Sequence, residues 1–244
     1  FATEEELLTV KDLSCGKKFH DISFSLKKGE IVGLAGFVGA GRTEVLSAIF
    51  GADIPDSGEI YIKGERVTIR SPRDAIRHRI SMIPENRRDD GLITSMSIRE
   101  NAQVAVMDQI SDHGILNKKK AVALMEHMIE NYAIKIGGMD DGILTLSGGN
   151  QQKVVIAKLI GNDPEILLCD EPTRGIDVGA KSEVYSILRD IAKEGIGILM
   201  VSSELPELLA LCDRVLVMHE GRLTGEFSRE EATEELIMKY AAAI

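Results

Sequence analysis

Apolar and polar positions alternate over roughly the first 70 residues, in short runs separated by turn sequences. The runs ELLTV (6–10), DISFSL (21–26) and IVGLAG (31–36) have the length and composition of β-strands. The segment 58–69 carries Lys63-Gly64 at its middle and predicts a hairpin with these residues at its tip. This part of the chain is therefore predicted to be rich in β-structure.

The apolar spacing changes to a helical period between about residue 90 and residue 145. Ser97 and Glu100 stand three residues apart, which predicts a capping box at the start of a helix over 97–107. Asn117 is predicted to cap a second helix with its apolar residues on one face. The pattern predicts a helical lobe inserted into the fold.

After Gly149, helices alternate with apolar strands. The predicted strands are 165–170, 196–202 and 214–218, and the predicted helices are 151–160, 178–195, 206–212 and 230–244. Ser228 and Glu231 predict a capping box for the last helix. Apolar strands that alternate with helices form a parallel sheet covered on both faces. We therefore predict a single α/β domain over residues 1–244, with a β-rich part at 1–88, an inserted helical subdomain at 89–149 and the remainder of the α/β core at 150–244.

The net charge of −10 limits the partners of the chain. With 29 Lys and Arg residues against 39 Asp and Glu residues, the chain lacks the basic surplus that neutralises nucleic-acid phosphates. It has no tryptophan, which leaves few platforms for stacked bases. We therefore predict no nucleic-acid partner. No apolar run is long enough to cross a bilayer, so a role at a membrane would require a partner.

The three cysteines, Cys15, Cys169 and Cys212, form no CxxC pair and show no metal-ligand spacing. Two of them lie in apolar segments, which indicates buried thiols in a reducing cytoplasm. The chain opens with Phe1 rather than methionine and shows no signal peptide. We expect a processed chain or a fragment of a longer one.

Residues 36–43 match the phosphate-loop pattern G-x-x-x-x-G-K-[ST] except at Arg42, where the pattern has lysine. The loop follows a predicted strand and precedes a predicted helix, as the pattern requires. Its glycines let backbone N–H groups surround phosphate oxygens, and Thr43 offers its hydroxyl to Mg²⁺. A glycine-rich turn without a ligand is the alternative. The predicted nucleotide-binding residues are Gly36, Phe37, Val38, Gly39, Ala40, Gly41, Arg42, Thr43 and Glu44.

The apolar strand 165–170 ends in Asp170-Glu171. Two carboxylates thus lie at the carboxyl edge of the sheet, where open α/β folds bind ligands. Asp170 is predicted to bind Mg²⁺, and Glu171 to polarise an attacking water. The Pro172-Thr173 pair and Asp177 that follow argue against the alternative, a strand end with solvated acids.

The segment LSGGNQQKV (146–154) predicts a helix start that can bind an anion. Ser147 supplies a hydroxyl, and Gly148 and Gly149 expose N–H groups at the positive end of a helix. A serine-capped helix after a glycine turn would explain the glycines, but not the match to a longer pattern.

The order phosphate loop, helical insert, LSGGNQ and LLCDEPT resembles the ATPase domain of ABC transporters over essentially the whole chain. The resemblance implies a P-loop fold of the ABC type, with a mainly parallel core sheet, an N-terminal antiparallel β part and an inserted helical subdomain. In this family two such domains dimerise head to tail, and each nucleotide lies between the phosphate loop of one and the signature motif of the other. The implied cofactors are ATP and Mg²⁺. The resemblance assigns the signature motif to Ser147, Gly148, Gly149 and Asn150, the Walker B pair to Asp170 and Glu171, and the D-loop aspartate to Asp177.

Three segments, GAGRTE (39–44), LSGGNQQKV and DEPTRGIDVGAK (170–181), together resemble the second, C-terminal half of the tandem ATPase subunits of bacterial sugar importers of the ribose, galactose and xylose type. The implied partners are the other, N-terminal ATPase half, bound head to tail, and transmembrane permease subunits. A periplasmic or extracellular sugar-binding protein is an indirect partner. The resemblance also implies a peripheral location at the cytoplasmic face of a bacterial membrane. It does not name the solute, because specificity lies in the permease and the binding protein.

Three positions depart from the family pattern, and each departure weakens hydrolysis at the chain's own loop. Arg42 replaces lysine, Glu85 stands where the Q-loop has glutamine, and Ser203 stands where the switch histidine is expected. A guanidinium fork cannot occupy the curl that holds a lysine, and serine is too short to bridge phosphate and water. Glu171, Ser203 and Glu85 form the predicted catalytic set. Phe19 is the candidate for the aromatic residue that stacks on adenine.

These departures lead to a hypothesis of divided labour. The chain donates Ser147, Gly148 and Gly149 to a competent site on the other half, and its own loop turns nucleotide over slowly or not at all. Losing one preorganised contact costs about 3 kcal/mol, or roughly a hundredfold in rate. We expect the assembled protein to be an ATPase that drives transport, and the isolated domain to be a very weak one.

Other functions stay open. A soluble ABC protein of translation or DNA repair would need basic surfaces or long coiled-coil inserts, which the acidic balance and the short lobe disfavour. A non-catalytic module would bind nucleotide only to regulate its partner. Nucleoside and autoinducer importers carry similar tandem ATPases.

Two arginines, Arg87 and Arg88, follow Glu85 closely. The sequence favours a solvated basic turn, balanced by Asp89 and Asp90. Contact with the transmembrane partner is the alternative, because the Q-loop region of the family lies near that contact.

Overall fold

The structure, a computed structural model, describes residues 1–243. The chain forms two compact units. The first comprises residues 1–82, 165–171 and the chain from residue 188 onward, and the second comprises residues 83–164 and 172–187. Ile244, which closes the predicted last helix, lies outside the described residues. Among the helices of residues 1–243, none has the length and apolar character needed to span a bilayer.

The elements alternate along the chain much as the sequence predicts. The strands are β1 (Glu6–Cys15), β2 (Phe19–Lys27), β3 (Ile31–Gly36), β4 (Ser57–Ile62), β5 (Glu65–Val67), β6 (Ile80–Ile83), β7 (Ser111–Asp112), β8 (Ile115–Leu116), β9 (Ile166–Asp170), β10 (Gly197–Val201), β11 (Arg214–His219) and β12 (Arg222–Ser228). The helices are α1 (Arg42–Ile49), α2 (Pro72–Arg77), α3 (Ile98–Gln103), α4 (Lys118–Asn131), α5 (Gly148–Ile160), α6 (Val178–Lys193), α7 (Leu205–Leu211) and α8 (Glu234–Ala241).

The N-terminal part of the first unit is an antiparallel sheet with the strand order β2-β1-β4-β5. Its strands bury alternate residues, among them Leu8 and Val10 of β1 and Ile22 and Phe24 of β2. This alternation is what a sheet with one face on a core requires. The hairpin between β4 and β5 turns at residues 63–64, as predicted.

The second sheet of this unit has the order β12-β11-β3-β10-β9-β6. Strands β11, β3, β10 and β9 are parallel neighbours, and β12 runs antiparallel to β11. All residues of β9 and β10 are buried, in keeping with strands covered on both faces. In the register, Val201 lies beside both Leu34 and Asp170. The carboxyl ends of β3, β9 and β10 therefore meet at one edge of the sheet, which is where the predicted site begins.

One apolar core joins both sheets of the first unit. Phe19 belongs to it and is 0% exposed. The prediction that Phe19 stacks on adenine is therefore wrong, because a ring without exposed surface cannot meet a base. The start of β2 takes Phe19 inward, where it packs with the apolar residues of β1 and β4.

All three cysteines are free and buried, as the sequence predicts. Cys15 is 7% exposed, and the thiols of Cys169 and Cys212 are at most 1% exposed. Burial raises the pKa of each thiol above its ordinary value, because a thiolate is poorly solvated in an apolar interior.

The second unit is mainly helical. Ser97 and Glu100 form the predicted capping box at the start of α3, and the Asn117 side chain accepts N–H groups of the first turn of α4. The two-residue hairpin β7-β8, which the sequence did not predict, lies between these helices. Helix α4 buries Met125 and Met128.

The last helix begins later than predicted. Thr233 caps α8 through a bond from the backbone N–H of Leu236, and the helix buries Ile237. Ser228 and Glu231 do bond to each other, but they close a turn at the end of β12. The prediction of a helix over 230–244 started by this pair is therefore wrong at its start.

Candidate nucleotide site and signature segment

The phosphate loop connects β3 to α1 at the carboxyl edge of the sheet. Gly39 and Gly41 have φ of +86° and +95°, which glycine adopts without strain. A β-carbon at Gly41 would lie 2.7 Å from the carbonyl oxygen of Lys18, so the position also requires a close approach of two backbones. Phe37 and Val38 are 47% and 92% exposed at the tip of the loop. The backbone thus has the predicted strand–loop–helix form, with the N-terminus of α1 behind it.

Arg42 does not point into the loop. Its side chain is 7% exposed, and Nη1 donates a hydrogen bond of 2.8 Å to the carbonyl oxygen of Ser202, just after β10. Burial lowers the pKa of the Arg42 guanidinium, and the neighbouring Glu171 and Asp170 carboxylates oppose that shift. The Arg42 guanidinium therefore bonds to the protein backbone, whereas the lysine of the phosphate-loop pattern would bond to phosphate.

Thr43 and Asp170 lie together beneath the loop. The Thr43 hydroxyl donates to Oδ1 of Asp170 at 3.2 Å, and Asp170 is 1% exposed. Burial raises the pKa of Asp170 to about 6, and the bond from Thr43 opposes the shift. A hydroxyl and a carboxylate oxygen at this distance are ligands that Mg²⁺ prefers.

Glu171 and Ser203 also meet at this edge. The Ser203 hydroxyl donates to Oε2 of Glu171 at 3.1 Å. The Glu171 N–H donates to the carbonyl oxygen of Val201 at 3.0 Å, and Glu171 has φ of +46°. This left-handed conformation is uncommon for a side chain with a β-carbon and is held by the neighbouring strand β10. The structure thus brings five predicted residues of the first unit together: Arg42, Thr43, Asp170, Glu171 and Ser203.

Two of these groups, the Thr43 hydroxyl and the Asp170 carboxylate, suit Mg²⁺ beside a bound nucleotide. No cluster of three or more His, Cys, Asp or Glu side chains within residues 1–243 could hold a metal ion alone. Mg²⁺ beside a nucleotide needs only one or two protein ligands, because phosphates and waters complete its octahedron. Thr43 and Asp170 would hold Mg²⁺, the loop would hold the phosphates, and the metal would supply charge neutralisation there.

The signature segment lies in the second unit. Ser147 is exposed and caps α5, accepting from the backbone N–H of Asn150 at 3.4 Å and from its side-chain amide at 3.1 Å. The first turn of a helix leaves N–H groups without partners in the helix. Of the two glycines in that turn, Gly148 is half-buried and Gly149 is buried. The predicted helix start at Ser147 is confirmed, and its binding of an anion stays a prediction.

The two signature glycines are also packing positions. A β-carbon at Gly149 would lie 2.5 Å from the β-carbon of Ala180 in α6. The Asp177 side chain accepts from the backbone N–H of Ala180 at 2.9 Å and so caps the first turn of α6. The D-loop aspartate and the signature are therefore held side by side in the second unit.

Glu85 and Arg87 lie in this unit as well. Glu85 forms an ion pair with Arg174, and Nη1 of Arg87 donates to the carbonyl oxygen of Arg174 at 2.7 Å. Arg87 is half-buried, so the predicted solvated turn is wrong for this residue; Arg88 is exposed. Sequence spacing gave no sign of this contact, because its partners are almost 90 positions apart.

Lys153 is a second residue that the sequence did not single out. It is 1% exposed, and its Nζ donates to the carbonyl oxygen of Ala133 at 2.9 Å and to Oε2 of Glu183 at 2.5 Å. Lys135 adds a longer ion pair to the same carboxylate, at 3.5 Å. Helix α5 is thus anchored to α6 by a buried cation. The sequence signal that could have revealed this residue was a lysine directly before the apolar run VVIA at residues 154–157.

Known proteins resemble this chain in sequence. The ribose import ATP-binding protein RbsA of Caldanaerobacter subterraneus subsp. tengcongensis is 50% identical over 235 residues, which are 96% of this chain and 47% of that protein. The ribose import ATP-binding protein RbsA of Bacillus subtilis (strain 168) is 45% identical over 237 residues, which are 97% of this chain and 48% of that protein. The chain spans about half the length of the curated relatives it matches.

Solved structures show the same fold. An ATP-binding cassette of an ABC transporter superposes with a TM-score of 0.81 at 19% identity, covering 96% of this chain and 98% of that chain. A nucleotide-free ATP-binding cassette superposes with a TM-score of 0.79 at 20% identity, covering 97% and 95%. The predicted P-loop fold of the ABC type, with a mainly parallel core sheet and an antiparallel N-terminal part, is confirmed. A profile of the ABC transporter family matches residues 19–174, and the chain belongs to this family.

Proposed function

We propose that this chain is the second, C-terminal nucleotide-binding domain of a tandem ATPase that drives sugar import into a bacterial cell. The high identity to ribose import proteins, over only half their length, supports both the class of solute and the tandem. In this proposal residues 1–244 form one ATPase domain. The partners are the N-terminal half, bound head to tail, and permease subunits fed by a sugar-binding protein. The location is the cytoplasmic face of the membrane.

One contrast carries the proposal. The side chain that should meet the phosphates, Arg42, is bonded to the carbonyl oxygen of Ser202. The serine that should meet the partner's nucleotide, Ser147, is exposed at the start of α5. The chain therefore gives a signature to the other half and keeps a weakened site for itself.

The residues of the chain's own site have these roles in the proposal. The loop 36–44 holds the phosphates of ATP, and Thr43 and Asp170 hold Mg²⁺. Glu171 is the base that orients water, but Ser203, at 3.1 Å from it, cannot bridge to phosphate as imidazole does. Each lost contact costs about 3 kcal/mol of transition-state stabilisation. Glu85, in the Q-loop position, adds a negative charge where glutamine is neutral.

The test compares two substitutions in the two-domain protein. Ser147→Arg places a long side chain in the signature. It is expected to abolish ATP turnover, because the nucleotide held by the partner's phosphate loop can no longer contact the signature. Glu171→Gln is expected to change turnover by less than about threefold, because the site it serves contributes little. Steady-state ATPase assays measure both.

The reverse pattern would overturn the assignment. The isolated domain supplies a second check, because it is expected to hydrolyse ATP very slowly. A robust Mg²⁺-dependent rate from residues 1–244 alone would show that the Arg42 loop is a working variant.

A further inference from the structure

Three side chains of the second unit, Glu85, Arg87 and Arg174, form a cluster that we call the arginine clasp. Arg174 pairs with Glu85. Arg87 donates through Nη1 to the carbonyl oxygen of Arg174 at 2.7 Å and through Nη2 to that of Gly175 at 3.2 Å. These carbonyls belong to a turn closed by a bond from the Ile176 N–H to the Thr173 carbonyl oxygen. The clasp thus joins the segment after β6 to the turn before the D-loop aspartate.

The same guanidinium lies against the signature. A β-carbon at Gly148 would lie 2.7 Å from Nη2 of Arg87 and 3.3 Å from the carbonyl oxygen of Gly175. On its other side the signature touches α6, because Gly149 lies directly against Ala180. Arg87 therefore occupies the space between the D-loop turn and the first signature glycine.

Arg87 is a poor choice for stability alone. Its hydrogen bonds go to neutral carbonyls, its neighbour Arg88 repels it, and its Nε is buried without a hydrogen-bond partner among the described residues. Burial lowers the pKa of its guanidinium, and so does the charge of Arg88. The geometry explains the residue better: two adjacent carbonyls are matched by a planar fork with two parallel N–H donors.

The other half of the clasp also contributes position rather than stability. The side chains of Glu85 and Arg174 are 42% and 63% exposed. An ion pair this open to water adds little to the free energy of unfolding. It does fix the direction of the Arg174 side chain at the turn that Arg87 holds.

We propose that the arginine clasp positions the D-loop turn against the signature, so that Asp177 and the Ser147–Gly149 segment reach the nucleotide of the partner half together. This inference rests on the proposed function and deepens it. Arg87 is a positioning residue, since it acts through the backbone of Arg174 and Gly175. Glu85, which stands where the family has glutamine, has a different role: it pairs with the charge of Arg174.

The test uses ATP turnover by the two-domain protein. Arg87→Ala is expected to lower kcat at least tenfold and to leave KM for ATP within about twofold, because binding is set by the phosphate loop of the other half. A misplacement of about 1 Å is enough for a loss of this size. Arg88→Ala is the matched control, since it removes the same charge one residue away, and it should leave kcat within twofold. Arg87→Lys keeps the charge without the fork and should recover only part of the rate.

A charge exchange tests the second contact and does not depend on the Arg87 variants folding. Glu85→Arg and Arg174→Glu should each lower kcat, and the double variant should recover most of the loss. Absence of recovery would show that the pair has no positioning role.

Ser147→Arg, measured in parallel, separates the two proposals. If it abolishes turnover while Arg87→Ala behaves like Arg88→Ala, the clasp proposal is wrong and the donated signature stands. If Ser147→Arg leaves turnover intact, the proposed function fails and the clasp proposal falls with it.

Discussion

The phosphate-loop site and the signature segment are both proposed to meet phosphate, but their polar groups have different partners. In the loop site, Arg42 is bonded to Ser202, Thr43 to Asp170, and Ser203 to Glu171. In the signature segment, the Ser147 hydroxyl accepts, within residues 1–243, only from its close neighbour Asn150 and is exposed at a helix start. A site whose groups bond one another must break those bonds to hold a ligand, whereas an exposed hydroxyl at a helix start is already open to one. This difference is the reason for the proposal that the signature segment, rather than the loop, serves the working site.

The glycines of the two regions differ in the same sense. Gly39 is required by its backbone angle, with φ of +86°, and an added β-carbon would meet nothing within 4 Å. Gly149 is required by its neighbour, because Ala180 lies directly against it. At Gly39 the loop needs a backbone shape, and at Gly149 the signature segment needs a close fit between α5 and α6.

The largest expected effect comes from adding one methyl group to each region of the two-domain protein. Gly149→Ala forces α5 away from Ala180 and should lower ATP turnover at least tenfold, with overpacking that costs about 1–3 kcal/mol of stability. Gly39→Ala costs about 1–2 kcal/mol in backbone strain but should change turnover less than threefold. Steady-state rates and thermal melts measure both. Equal losses of turnover would erase the contrast between the regions.

A stabilising change is expected at Asp170. Because burial raises its pKa from 3.8 to about 6, the ionised carboxyl opposes folding at pH 7, by about 2–3 kcal/mol. Asp170→Asn removes this charge, still accepts from Thr43, and should raise the melting temperature of the metal-free domain by about 5–10 °C at pH 7.

The sign of the pH dependence follows from the raised pKa. The protonated carboxyl contributes stability that is fully present below about pH 4 and is lost as the pH rises through about 6. The difference in melting temperature between variant and wild type, measured with a chelator present, should therefore be greatest at pH 7 and vanish near pH 4. A difference that grows towards acid would contradict the assignment of the shift to burial.

The smallest effect is expected when lysine is restored to the loop. Arg42→Lys frees the side chain from the carbonyl oxygen of Ser202 and should tighten nucleotide binding by the isolated domain about tenfold, or 1.4 kcal/mol. The buried carbonyl loses its donor, at a cost of about 1–3 kcal/mol in stability. Fluorescent-nucleotide titration with a thermal melt measures both, and Arg42→Ala is the control without a cation. Unchanged affinity in the lysine variant would show that another group weakens the loop.

Two identical-looking start signals show how far local sequence determines structure. Ser97-Glu100 starts α3, whereas Ser228-Glu231 only closes a turn. After Ser97 the chain supplies apolar residues at once, and Ile98 is fully buried. After Ser228 the sequence REEATEE has no large apolar residue that could pack into the core. The helix therefore begins after Thr233, and its first buried residue is Ile237. A cap predicts a helix only where an apolar face follows it.

The candidate site likewise contains features that depend on local sequence and features that depend on long-range contacts. The phosphate loop, the cap at Ser147 and the strand end at Asp170 are local in sequence, and their backbone forms were predictable. The bonds of Arg87 and of the buried Lys153 depend on partners that the fold brings near: Gly175 is 88 positions from Arg87, and Glu183 is 30 positions from Lys153. Such long-range pairings leave no periodic signal, so only the three-dimensional structure reveals them.

The burial of the three thiols has a practical consequence for every distance measurement on this protein. Reagents that attack thiolates will find Cys15, Cys169 and Cys212 both shielded and protonated. The three native cysteines are therefore not expected to react with labelling reagents. Single cysteines introduced on the surface can carry spin or fluorescent labels without removal of a native one.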